Sequence, residues 1–196
     1  MIYKISVSEV AHVVKSEIAL KVLSEDSNFC TSLAANPNLS SALWLKVLTA
    51  CESGLVYEGI AKLAFTAQTK EQITKVIETG GGAIFSRIAN DYRYPSLPPE
   101  IRGVLESNAM FATALNWIEK DLHRGGGKYG GAEGPSLSQE IQELLAKVTD
   151  NFILGEVTGR LDAIGEAGWL MFAGELPRWK ESTEELLDTI ETALLS

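Results

Sequence analysis

The feature that most constrains this chain is a recurring apolar spacing. A core triplet at i, i+3, i+4 appears as Ala19/Val22/Leu23, Trp44/Val47/Leu48, Ile73/Val76/Ile77 and Ile101/Val104/Leu105. Its middle residues are separated by 25 positions (22 to 47), 29 (47 to 76) and 28 (76 to 104). Between these triplets lies a second unit, in which a large apolar residue precedes Leu or Ile by three or four positions: Phe29/Leu33, Ile60/Leu63, Ile84/Ile88 and Phe111/Leu115. Spacings of three and four place apolar side chains on one face of an α-helix. Two short helices therefore alternate with a period in the range of helical repeats. A single helix pair cannot bury both of its apolar faces, whereas stacked neighbours can.

The breaks between these units fit the same frame. Asn36-Pro37-Asn38 interrupts the chain, and Ser40 or Ser41 can cap the next helix. Thr69-Lys70-Glu71-Gln72 has capping-box spacing. Gly80-Gly81-Gly82 ends a helix, and Pro99 suits a first helical turn. The only alternating stretch, Ile2 to Val7, reads as a short strand or an irregular lead-in.

Leu33-Ala34-Ala35-Asn36-Pro37-Asn38-Leu39, followed by Ser40-Ser41-Ala42-Leu43, resembles the leucine-rich-repeat variant family. There an L-A-x-N-P-N-L-P-x-x-L pattern joins the two helices of a repeat. Ile88-Ala89-Asn90, then Leu97-Pro98-Pro99-Glu100-Ile101, is similar to a degenerate second copy with a longer linker. The resemblance spans about residues 8–122. It implies a right-handed α-solenoid related to HEAT repeats and used mainly for protein binding. Some members of that family carry an iron–sulfur cluster on a separate cysteine cluster. This chain has only Cys30 and Cys51, so no cofactor is implied.

Residues 123–135 hold six glycines and Pro135, a composition that cannot stay helical. They mark a boundary between a repeat region, 1–122, and a C-terminal part, 136–196. In that part, Ser136-Leu137-Ser138-Gln139 opens one helix, Leu154, Val157, Leu161 and Ile164 lie on a second, and Ser182 to Glu185 caps a last one. Gly165 to Pro177 reads as a turn region. The C-terminal part is expected to cap the repeat stack, with a small separate helical domain as the alternative. The fold class is thus all-α: a short solenoid of helix pairs with a C-terminal helical cap.

Composition narrows the function. The net charge is −9 across 196 residues, which disfavours direct nucleic-acid binding and anionic membranes. No apolar run has the length of a membrane span, and the first residues lack the apolar core of a secretory signal. Two cysteines do not make a disulfide framework, so a cytoplasmic setting is expected and both thiols are read as buried structural groups.

Catalytic and metal motifs fail on inspection. Gly125 to Gly130 fits a dinucleotide fingerprint in letters only, because a helix precedes it rather than a strand. Tyr129 also stands where a phosphate-binding loop needs Ser or Thr. His12 and His123 lie far in sequence from either cysteine, and no zinc spacing exists.

The candidate partner-binding residues are surface features. Arg87, Tyr92, Arg93 and Tyr94 cluster around an inter-helix loop, and Tyr and Arg are enriched at interface hot spots. Arg124, Lys128 and Tyr129 lie on the glycine-rich loop. Lys21, Lys46 and Lys75 occupy one slot in three repeats and would align as a basic ridge. The expected function is a non-enzymatic protein-binding module. One alternative is an acidic inhibitor, of the kind phages encode, acting on a host nucleic-acid-handling complex. Against a nucleic-acid mimic, 17 cationic residues dilute the negative charge. The other is a hydrolase or transferase with an unrecognised site.

Overall fold

The structure is a computed structural model and describes residues 4–123 and 153–195. The described residues form helices and connecting turns, with no strand. Residues 4–6 are an irregular lead-in to the first helix.

Local chemistry sets the helix starts. Helix α1 (Val7–Val13) opens on a full capping box between Ser6 and Glu9. Ser16 caps α2 (Glu17–Leu23), Asp26 caps α3 (Ser27–Leu33) and Ser40 caps α4 (Ser41–Ser53). Each supplies a side-chain oxygen to an N–H that lacks an intrahelical partner. After α5 (Tyr57–Leu63), the Thr69/Gln72 capping box opens α6 (Lys70–Gly80). Gly81 ends that helix at φ +52°, a conformation glycine adopts without steric cost, and α7 (Gly82–Ala89) follows directly. Pro99 occupies the first turn of α8 (Pro99–Glu106), and α9 runs Ala109–His123.

The end of α4 departs from the usual rule. Leu55 stands at φ +54°, where glycine is common. The Val56 N–H donates to Cys51 O at 2.8 Å and the Leu55 N–H to Glu52 O at 3.0 Å, the paired bonds that close a helix end.

The two apolar units sort onto alternate helices. The triplets lie on α2, α4, α6 and α8, and the second unit on α3, α5, α7 and α9. Nearly all of these side chains are buried, with Ile77, Val104 and Leu115 partly so. Helix α1 packs on α3, α3 on α5, α5 on α7 and α7 on α9. Along the other row, α4 meets α6 and α6 meets α8. Each odd helix thus covers the next, which is how short amphipathic helices bury a continuous stripe.

The C-terminal helices are α10 (153–164), α11 (Glu166–Glu175) and α12 (Thr183–Leu195). The expected turn over Gly165 to Pro177 is mostly helix. Only Gly165 breaks the chain, at φ +88°, and Trp169 and Phe172 then bury on one face of α11. Gly168 lets α11 approach Ile164, since a Cβ there would lie 2.8 Å from that side chain. The segment returns to the start of the chain. Helix α11 packs on α2, and the buried Ile5 N–H donates to Thr183 Oγ1 at 2.8 Å. Lys21 pairs with Glu166 at 3.2 Å across the same contact.

Candidate functional site

A groove of about 1130 Å³ runs along one side of the molecule. One wall comes from α1 and the residues after it: Ser8, Glu9, His12, Val13, Val14, Lys15 and Ser16. Its floor includes Ala35, Pro37 and Asn38 from the α3–α4 turn and Lys62 from α5. Tyr92 and Arg93 also line it, as do Leu154, Gly155, Thr158 and Asp162 of α10.

Buried polar contacts hold this floor in place. Asn36 is 1% exposed, and its side-chain amide donates to Ala11 O at 2.7 Å and Val14 O at 3.0 Å. Its Oδ1 accepts from the Asn38 N–H at 2.8 Å, which fixes the turn that carries Asn38. Thr66 repeats the arrangement one helix pair later. Its hydroxyl donates to Ala34 O at 3.0 Å and accepts from Trp44 Nε1 at 3.2 Å.

Arg93 is locked by a fork onto Asp91, with Nε–Oδ1 at 2.9 Å and Nη2–Oδ2 at 2.7 Å. Its guanidinium lies over Phe65, 4.2 Å from the ring centroid, and 5.9 Å from that of Tyr92. Burial raises the Asp91 carboxyl, but the Arg93 hydrogen bonds outweigh it, and the net result is below the usual carboxylate range. Lys62 pairs with Glu58 at 2.8 Å and holds that carboxyl low, with a smaller contribution from the charge of Arg87.

The candidate residues from the sequence separate under this geometry. Tyr92 and Arg93 line the groove, and Tyr92 is exposed. Arg87 is exposed on α7, where its Nη1 donates to Ala83 O. Tyr94 is a packing residue instead. It is buried, its ring lies 5.5 Å from Phe111, and its hydroxyl donates to Glu106 at 2.8 Å. Burial, then that hydrogen bond, push its ionisation above the ordinary tyrosine range.

The three lysines of the expected ridge each meet a carboxylate: Lys21 meets Glu166, Lys46 meets Glu25 at 2.5 Å, and Lys75 meets Glu71 at 3.9 Å. Each of these lysines thus has a carboxylate neighbour on the surface. Arg124, Lys128 and Tyr129 lie outside the described residues, as does the helix expected from Ser136.

Sequence reasoning missed His12, Lys15, Asn38, Lys62 and Asp162. The repeat frame held one usable signal. Lys62 and Arg87 both immediately precede the core Leu or Ile of the second unit, and both lie in the last turn of their helices.

Other chemistry gains no support from the geometry. His12 Nδ1 lies 3.3 Å from the Ser8 carbonyl, and Asp162 Oδ1 accepts from Trp169 Nε1 at 2.8 Å. Among the described residues, no cluster of three or more His, Cys, Asp or Glu is placed to hold a metal, and no helix is long and apolar enough to cross a membrane. Cys30 and Cys51 are buried free thiols; the neighbouring Cys30 and burial push the Cys51 thiol far above its usual range. Searches of protein-family models, curated proteins and solved structures gave no match to this chain.

Proposed function

We propose that the chain is a non-enzymatic protein-binding module, a short α-solenoid of helix pairs whose groove receives a segment of a partner protein. The C-terminal helices α10 to α12 act as the cap of the stack, set against α1 and α2 at its beginning. The observation that carries the reading is the groove itself. It is open, extends across several helices, and has a mainly apolar lining with polar side chains interspersed, beside a turn held in place by Asn36. Rigid backbone beneath an exposed, mixed-polarity surface lowers the ordering cost of binding. The carboxylates in its wall are engaged within the protein, which suits recognition better than turnover.

Site-specific photo-crosslinking tests this. A benzophenone side chain at Asn38 in the groove is compared with one at Thr74, which is exposed on α6. The expected result is one discrete crosslinked polypeptide from Asn38 and none from Thr74. Equal labelling from both positions, or none from either, would overturn the reading.

A further inference from the structure

We propose that Cys30 and Cys51 are a redox-sensitive pair: a small-molecule disulfide couples them into a bond that braces the groove turn, and a thiol reductant parts them. The bond itself does not depend on the protein-binding reading above.

Register is the first argument. Helices α3 and α4 pack against one another across the short connection 34–40, and so run antiparallel. A Cβ at Gly54 would lie 2.8 Å from the Ser27 Cβ, so the start of α3 faces the end of α4. Three positions along the chain from each, in opposite directions, stand Cys30 and Cys51. A step of three is close to one helical turn, which keeps both residues on the facing sides. A second marker agrees. A Cβ at Gly59 would lie 2.5 Å from Cys51 Sγ and 3.3 Å from the Thr31 nitrogen, the peptide nitrogen that follows Cys30. Both cysteines are free and buried.

The two thiols differ in character, which sets their roles. The neighbouring Cys51 outweighs burial and, with Thr31, holds the Cys30 thiol below its ordinary range. Cys51 is pushed the other way. Cys30 is therefore the attacking thiolate. Having lost its proton to water, it attacks one sulfur of the small disulfide, whose S–S bond breaks to release one small thiolate. Cys51 then attacks Cys30 Sγ as its own proton leaves, and the second small thiolate is expelled. The released thiolates take up the two protons. Two protein thiols and one small disulfide become one protein disulfide and two small thiols.

Burial sets the route. Neither sulfur touches solvent, so oxidation proceeds through local opening of α3, a helix of seven residues. The consequence falls on the groove. The bond closes the loop 30–51, which contains the Pro37–Asn38 turn of its lining. Closing that loop removes open conformations from the turn.

The test holds the full-length protein in native buffer with glutathione disulfide, quenches it in acid, unfolds it, and alkylates the remaining thiols before intact-mass measurement. The expected product is a monomer without alkyl groups, lighter than the reduced chain by two hydrogens, and a thiol reductant restores the parent mass. The oxidised form is expected to melt several degrees higher. Its Asn38 amide is expected to exchange hydrogen severalfold more slowly. Cys51→Ala should stop at a glutathione adduct on Cys30 and gain neither stability nor protection. Circular dichroism establishes that this variant folds, and the parent comparison stands without it.

Two alkylated thiols after native oxidation overturn the proposal. So does a glutathione adduct alone on the parent, a disulfide-linked dimer, or a bond that forms only when the chain refolds from urea in oxidant. Unchanged exchange at Asn38 in the bonded form overturns the brace. None of these outcomes alters Asn38 crosslinking in the reduced protein, so the binding reading stands or falls separately.

Discussion

The Thr66 hydroxyl donates to the carbonyl of Ala34 at 3.0 Å, joining the end of α5 to the end of α3. Asn36 makes the equivalent connection one pair earlier, from the end of α3 to Ala11 and Val14 at the end of α1. In each case a side chain three residues after the core Leu (Leu33 or Leu63) satisfies carbonyls left open at the previous helix end. At the next boundary the same position is Asp91, which orients Arg93 over Phe65 of the preceding pair. Polar side chains thus join these helix ends alongside the apolar contacts.

Asn36→Leu should be costly. It removes three hydrogen bonds and leaves two buried carbonyls and the Asn38 N–H without their partner, a loss of about 2–4 kcal/mol. Thr66→Val removes one donor and one acceptor in a half-buried position and should cost about 1–2 kcal/mol. Urea titration of both variants checks the order. Equal midpoints for Asn36→Leu and the parent would show that the amide contacts are not stabilising.

Asp91 gives a pH signature. Its folded carboxyl ionises below the unfolded range because the Arg93 hydrogen bonds outweigh burial. Its contribution is therefore full above the unfolded value of about 3.9 and lost as pH falls through the lower folded value. Asp91→Asn should melt below the parent at neutral pH, by about 1–2 kcal/mol. The gap should shrink steadily below about pH 4. Melting temperatures measured from pH 7 to pH 2.5 test this, and a constant gap would remove Asp91 ionisation from the account.

Leu55 is 71% exposed and sits in the left-handed region with no packing to hold it there. Leu55→Gly should raise stability by about 1 kcal/mol, since a side chain in that conformation meets its own carbonyl. Thermal melting of the single variant is sufficient. A lower melting temperature would mean that the leucine side chain contributes more than its backbone strain costs.

The helices were readable because spacing and capping agreed. Thr69 to Gln72, Ser40, Pro99 and the two apolar units each sit where the pattern put them. Helix α11 was misread because Gly165, Gly168 and Gly174 look like turn residues, while Trp169 and Phe172 carry the packing. The return of α11 onto α2 could not be read at all. Periodicity reports which face of a helix is apolar and says nothing about which distant helix covers it. The same gap hid the groove. His12, Lys62 and Asp162 are 50 and 100 positions apart, with no shared motif. Tyr94 illustrates the opposite error: Tyr92 on the same loop faces solvent, but the Phe111 ring and Glu106 draw Tyr94 inward.

Gly59 tests how tightly the odd row is packed. A Cβ at this position would lie 2.5 Å from Cys51 Sγ and 3.3 Å from the Thr31 backbone. Gly59 therefore marks a close approach of α5 to α3 and α4. Alanine is the better helix former by about 1 kcal/mol, so an unobstructed site would gain from the change. Here the clash should dominate, and Gly59→Ala should lose about 1–3 kcal/mol as the helices are forced apart. Cys51→Ala removes the sulfur in the way and should itself cost a modest amount through the small void it leaves. The two changes are expected to couple: in the Cys51→Ala background, Gly59→Ala should cost less than about 1 kcal/mol, a difference that a double-mutant cycle measured by urea unfolding resolves. Strict additivity would place the obstruction at Thr31 instead, where the backbone cannot yield.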